Sequence, residues 1–266
     1  MNEVLAGEWE GQTAEELGRR WKASAVHLFH EVGSTNDVCR RLAGEGAIDG
    51  TIVLSEKQTA GRGRGGKRWE SPAGSGLWIS LLTRPVGREN LSSLPLSIGL
   101  VTATCLDRCI APAAVGIKWP NDLQIAGLKI GGILCESVWH GTSAVSLIVG
   151  IGLNLRQEQA DFPSELREVA TSIRSVSGKN PDRLEIASCL VPSILRRLGE
   201  PLALTPAEAN ALQQKDVLQG RSVHISGTKS PGFSSTAMGI APDGALLVRD
   251  ATGILRSIHS GTVRPT

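Results

Sequence analysis

Gly61-Arg62-Gly63-Arg64-Gly65-Gly66-Lys67-Arg68-Trp69 runs through Glu70-Ser71-Pro72-Ala73-Gly74-Ser75-Gly76 into the apolar Leu77-Trp78-Ile79-Ser80-Leu81-Leu82. Four cations and four glycines fill nine residues that end on a tryptophan. Glycine lets backbone approach a ligand closely. Arginine and lysine meet anionic oxygens through charge-assisted hydrogen bonds, and an indole offers a flat face to a base or another ring. The stretch reads as a flexible clamp for something phosphorylated. Its downstream residues bear on the fold. Gly61-x-Gly63-x-x-Gly66 satisfies the dinucleotide fingerprint as a string, but that fingerprint must open a helix. Here a loop leads into a strand, which argues against a doubly wound sheet. Gly61-x4-Gly66-Lys67 imitates a P-loop, yet Arg68 stands where the magnesium-binding Ser/Thr belongs. A solvated basic loop or an RGG-like RNA-binding tract stays open as the bland reading. Such tracts are repeated and low in complexity, whereas this one stands alone between two apolar strands.

The chain has 266 residues, enough for one large domain or two smaller ones. Hydrophobic content of 41% and charged content of 20% place it among soluble globular proteins. A net charge of only +2 argues against a general nucleic-acid binder. Five cysteines with no Cys-x-x-Cys predict a reduced, cytoplasmic protein. There is neither an apolar run of about 18 residues nor a signal-peptide pattern at the N-terminus.

Thr13-Ala14-Glu15-Glu16 is a capping box opening a short helix to Trp21. Val26 to Val32 alternates as a strand, and Ser34-Thr35-Asn36-Asp37 supplies cap chemistry for a helix through Leu42. Strands are expected over Thr51–Ser55 and Leu77–Thr83, and a long helix over Ser92–Ile110. Ile117-Lys118-Trp119 reads as a short strand ending in the turn Pro120-Asn121-Asp122. Leu128–Val138 and Val145–Leu155 make a hairpin, and helices are expected over Ser164–Ala170, Arg183–Leu198 and Thr205–Gln214. After Gly220 short apolar runs alternate with Gly, Ser and Pro, which predicts a small all-β module. The class is α+β, divided as an extension (1–22), a main domain (23–214) and a C-terminal module (215–266).

Five segments are too polar or too glycine-rich for their places beside apolar strands. They are Ser34-Thr35-Asn36-Asp37, the basic loop with Gln58 before it, Lys118-Trp119-Pro120-Asn121-Asp122, Lys129-Ile130-Gly131-Gly132 and Gly150-Ile151-Gly152-Leu153-Asn154. Singly, each reads as a cap, a turn, an edge or a bulge. Their joint order carries more. With Glu31-Val32, Gln58-Thr59-Ala60 and Ile133-Leu134, the set resembles biotin protein ligases, in particular the short form without a DNA-binding domain.

The resemblance implies a catalytic domain like that of class II aminoacyl-tRNA synthetases with a C-terminal SH3-like β-barrel. It implies that biotin and ATP give biotinyl-AMP and pyrophosphate, with Mg2+ as activator. A lysine of a biotin carrier domain, such as that of acetyl-CoA carboxylase, then takes the biotinyl group. By the same resemblance Arg64 and Lys129 are catalytic. Biotin would be met by Ser34, Thr35, Asn36, Gln58, Gly61, Arg62, Gly63, Arg64, Lys129, Gly131 and Gly132. The nucleotide would be met by Arg64, Trp69, Lys118, Asn121, Asp122 and Asn154. No residue is assigned as a metal ligand. Cys105 and Cys109, Trp78 and Trp119 are read as core. With 33 residues before Ser34 against the roughly 60 of a DNA-binding module, DNA is not an expected partner; with no long apolar run, neither is a membrane; a homodimer is left open.

Overall fold

The computed structural model describes residues 3–84, 91–140, 143–227 and 232–266. A mixed eight-stranded sheet forms its centre. In chain order its strands are β1 (Val4–Leu5), β4 (Ala25–Val32), β5 (Thr51–Gln58), β6 (Gly76–Thr83), β7 (Gly116–Lys118), β8 (Asp122–Ile125), β9 (Leu128–His140) and β10 (Ser143–Asn154). Their spatial order is β1-β4-β5-β6-β10-β9-β8-β7. Only β4 and β5 are parallel, joined by the crossover helix α2 (Thr35–Gly44). A small hairpin, β2 (Glu8–Trp9) and β3 (Gln12–Thr13), precedes α1 (Ala14–Trp21), whose Thr13–Glu16 capping box is present.

Period-two alternation divides the sheet into two faces. Leu77, Ile79 and Leu81 of β6 and Val149, Ile151 and Leu153 of β10 enter the main core. That core is covered by α1, α3 (Leu94–Ile110), α5 (Arg183–Leu198) and α6 (Pro206–Lys215). On the opposite face Phe29, Val53, Leu82 and Ile148 pack under Val38 and Cys39 of α2. Helix α2 is only ten residues long, about 15 Å, so it roofs one end of this face. The remainder is open to the basic loop and becomes the site.

A five-stranded antiparallel sheet ends the chain: β11 (Ser222–Ser226), β12 (Phe233–Ile240), β13 (Leu246–Arg249), β14 (Leu255–Ile258) and β15 (Thr262–Pro265), with β14 and β15 at its edges. It is anchored on the rest of the molecule. Trp119 Nε1 donates to the Gly244 carbonyl at 2.9 Å, Ser92 Oγ donates to the Asp243 carbonyl at 3.0 Å, and Val223, Leu246 and Val263 share the main core.

Two expectations need correction. The helix expected over Ser164–Ala170 is only a 3-10 turn at Ser164–Leu166, followed by an isolated bridge between Ala170 and Lys129. Lys129 N–H donates to the Val169 carbonyl and Thr171 N–H to the Lys129 carbonyl, both at 2.9 Å, so sheet pairing takes backbone groups that a helix would use. The turn expected at Pro120-Asn121-Asp122 ends a residue earlier, because Asp122 already pairs with Gly132 in β8. Helix α4 (Ile173–Ser177) and strands β1–β3 carried too few residues to show a period.

Arg183 of α5 ties the N-terminal hairpin to the sheet. Its side chain is 4% exposed, pairs with Glu10 and Glu56 at 2.5 Å each, donates to the Gly76 carbonyl and lies 5.1 Å from the Trp9 ring. Arg183→Met leaves the half-buried Glu56 carboxylate without its cation and Glu10 with Arg156 alone, at 3.4 Å. We expect a loss of about 3 kcal/mol in urea denaturation; an unchanged midpoint would refute the anchoring role.

Candidate active site

The sheet register aligns motifs far apart in sequence. Ser55 stands opposite Trp78, Trp78 opposite Gly152, Gly152 opposite Gly132, Gly132 opposite Asp122, and Asp122 opposite Lys118. One transverse row thus brings three of the polar and glycine-rich motifs side by side. From Ile148 onward the even positions of β10 read Ile148, Gly150, Gly152 and Asn154. A Cβ at Gly150 would collide with the Asn36 side chain. A Cβ at Gly152 would stand 2.5 Å from Trp69 Nε1. The two glycines therefore let an asparagine and a tryptophan from other motifs lie directly on the strand.

The basic loop is a tight hairpin rather than a freely flexible tract. Trp69 N–H donates to the Gly61 carbonyl at 2.9 Å and Gly63 N–H to the Lys67 carbonyl at 2.7 Å, around a 3-10 turn at Arg64–Gly66. Gly65 and Gly66 take φ of 65° and 74° at its tip, a region that favours glycine. Arg62 makes a two-pronged ion pair with Asp37 in the first turn of α2, one bond being 2.7 Å. Asp37 also pairs with Arg40, which reaches Glu136 at 3.0 Å. The hydrogen bond from Arg62 outweighs partial burial and holds the Asp37 carboxyl below its usual range.

Beside this latch lies a buried polar cluster. Ser80 Oγ bonds Thr35 Oγ1 at 2.7 Å and Asn36 Oδ1 at 2.6 Å, and Asn36 Nδ2 donates to Glu136 at 2.7 Å. Gln58 accepts from Thr35 N–H at 2.8 Å and donates to Ser71 Oγ at 2.9 Å. Each amide is held in one orientation by its partners. Ser34 is the N-cap residue of α2, but its side chain makes no capping bond, and the residue lines the cavity.

At the other end cations gather. Lys129 Nζ donates to Asp122 Oδ1 at 2.5 Å and lies 5.2 Å from the centre of the Trp69 ring. Burial lowers the Lys118 pKa from its ordinary value; the charges of Lys129, Arg264 and Lys67 add to the effect, while Asp122 opposes it. Burial likewise lowers Arg64, with Asp122 opposing. Such a crowd of cations is relieved by an incoming anion. Asn121 Nδ2 donates to the Ile133 carbonyl at 2.7 Å.

One cavity of about 690 Å3 connects both ends, within the usual range for a small-molecule site. Of the expected site residues, Gly61 and Gly131 do not line it. Gly61 leaves room for the Trp69 carbonyl, 2.5 Å from where a Cβ would sit, and Gly131 does the same for the Leu153 side chain at 2.6 Å. The remaining expected residues meet on its wall. Ser80 and Glu136 were missed, although a serine inside the apolar run of β6 marked the polar patch. Ser260, Gly261 and Arg264 also line the cavity, brought there from the C-terminal sheet; nothing in their local sequence announced it.

The biotin/lipoate A/B protein ligase family matches residues 30–154. The chain is 34% identical to the bifunctional ligase/repressor BirA of Bacillus subtilis, across 93% of this chain and 76% of that protein. It is 32% identical to the biotin--[acetyl-CoA-carboxylase] ligase of Mycobacterium tuberculosis, across 85% of this chain and 81% of that one. The chain belongs to the biotin protein ligase family. Its fold superposes on the biotin protein ligase from Aquifex aeolicus, solved with biotin and ATP, with a TM-score of 0.77 and 28% identity, across 91% of this chain and all of the other. Each of the ordered motifs that carry the resemblance, apart from Glu31-Val32 itself, sends residues to the wall of this one cavity.

In this family member the latch sets how tightly the basic loop is held. Asp37→Ala should free the base of the loop at Arg62 and speed tryptic cleavage at the loop's four cationic residues about tenfold, the scale of a lost charged hydrogen bond. Cleavage at the wild-type rate would mean that Arg62 and Asp37 do not restrain the loop.

Proposed function

We infer that the protein is an ATP-dependent biotin protein ligase. One observation carries this reading: a single cavity has buried amides and hydroxyls at one end and clustered cations at the other. Biotin offers a ureido ring that needs matched donors and acceptors, and a carboxylate that must meet the α-phosphate of ATP. The carboxylate oxygen attacks that phosphorus and pyrophosphate leaves. Lys129, Lys118 and Arg64 offset the repulsion between two anions and stabilise charge in the transition state. Asp122 holds Lys129 in place until the anions arrive. In the second step the amine of a carrier-domain lysine attacks the biotinyl carbonyl carbon, AMP leaves, and the amine loses a proton. Closure of the basic loop through Arg64 keeps water from the anhydride.

Ser34, Thr35, Asn36 and Gln58, with loop backbone at Arg62 and Gly63, form the biotin end of this reading; Gly132 lies beneath Lys129, while Gly61 and Gly131 serve by close packing. Trp69, Asn121, Asp122 and Asn154 form the nucleotide end with Lys118. Among the described residues no cluster of three or more His, Cys, Asp or Glu could hold a resident metal. Mg2+ would instead arrive with ATP, coordinated mainly by phosphates, with Asp122 the carboxylate beside them.

The finer architecture fits the same reading. Residues 23–214 would be a catalytic domain of class II synthetase type, after the extension 1–22, and 215–266 an SH3-like barrel that supplies Arg264 to the cavity. Beyond Ile133, β9 has no strand on its second edge among the described residues. A carrier domain, or a second copy in a homodimer, could add a strand there. Five free cysteines suit the cytoplasm, and no helix among the described residues is long and apolar enough to cross a membrane.

The test is pyrophosphate–ATP exchange with Mg2+, comparing biotin, lipoate and no acid. Biotin-dependent exchange is expected. Exchange driven by lipoate would move the chain to lipoate chemistry, and biotin binding without exchange would make it a sensor. Lys129→Ala should slow exchange at least ~100-fold; normal turnover would remove Lys129 from the mechanism. Arg64→Gly should release biotinyl-AMP into solution, and an intermediate still tightly retained would sink the role of Arg64 in closure.

A further inference from the structure

Gln157 is 3% exposed, lines the cavity, and has a buried Oε1 without a hydrogen-bond partner. Its orientation is fixed by a chain of obligations. Asn154 Nδ2 donates to the Thr171 carbonyl at 3.1 Å, and a carbonyl can only accept. Asn154 Oδ1 must then accept, and it does so from Gln157 Nε2 at 3.3 Å. Gln157 Oε1 is thereby turned away from Asn154. The backbone cannot readily move to relieve it, because the Gln157 carbonyl accepts from both Ser172 Oγ and Ser175 Oγ. A buried acceptor held in this way calls for a donor on a ligand.

The surroundings specify that donor. Trp69, Gly152, Phe162 and Ala170 line the same cavity and offer aromatic and apolar surface to a flat ring. The polar edge beside them consists of the Asn154 and Gln157 amides. We propose that Gln157 selects the nucleobase of ATP: its Oε1 accepts from the exocyclic amine of adenine, while the second Nδ2 proton of Asn154 is available to a ring nitrogen. Guanine presents an oxygen in place of that amine and would set two acceptors against each other. The proposal rests on the ligase reading, which requires ATP but does not say what reads its base.

Biotin-dependent pyrophosphate exchange is measured with ATP, GTP and purine riboside triphosphate, which lacks only the amine. Wild type should favour ATP over the purine analogue by about tenfold or more in kcat/KM, the scale of one buried hydrogen bond, and over GTP by more. In Gln157→Met the ratio of ATP to the analogue should collapse towards one. In Gln157→Glu, which keeps an acceptor, a preference for ATP over the analogue should persist. Equal use of ATP and the analogue by wild type overturns the proposal without recourse to any variant. So does a Gln157→Met enzyme that keeps the ATP preference, or loses both nucleotides in equal proportion as a merely structural role for Gln157 would require. Absence of biotin-dependent exchange with any nucleotide would instead remove the ligase reading itself.

Discussion

The site depends on how closely two side chains can approach one strand. Asn36 and Trp69 come from opposite ends of the cavity, and both lie on the bare backbone of β10 at Gly150 and Gly152. A methyl group at either position would lift one of them off the sheet. Lifting Asn36 would break its bonds to Ser80 and Glu136. Lifting Trp69 would move the end of the basic loop and the ring beside Lys129. The polar cluster, the loop and the cation cluster are therefore set against one another by the floor of a single strand.

Electrostatics then divides the labour along that floor. At the α2 end charges are paired: Arg62 with Asp37, Arg40 with Glu136. At the other end Lys118, Lys129, Lys67 and Arg264 crowd one another, and Asp122 opposes them. Paired charges hold the loop's base in place, while crowded cations hold favourable potential for an anion. The first arrangement gives geometry and the second gives affinity for phosphate and carboxylate. Both occur in one cavity because the sheet register places Asp122, Gly132 and Gly152 in one row.

Much of this was legible in the chain itself. The capping boxes of α1 and α6 are present as expected, and Trp78 and Trp119 are buried in the core. Long strands such as β6 and β10 announced themselves by apolar content and period. Elements set by distant partners did not. The segment after Ser164 has helix-compatible residues, yet Val169 and Thr171 commit their backbone groups to Lys129, some forty residues earlier in the chain. Gly61 and Gly131 belong to ligand-facing motifs, and only the packing shows that they accommodate a carbonyl and a leucine instead of lining the cavity.

The sequence by itself determined which chemistry was available: cations on a glycine-rich loop, amides and hydroxyls beside apolar strands, and a β-rich tail. These depend on residue type and short-range spacing, which no tertiary contact alters. Tertiary structure alone decided which of these groups face one another. Arg264 enters the cavity because Trp119 and the main core anchor the C-terminal sheet. Gln157 Oε1 is left unpaired because Thr171 orients Asn154. Register, close approach and hydrogen-bond orientation each depend on partners remote in the chain, so their outcome is settled only when the backbone has folded around them.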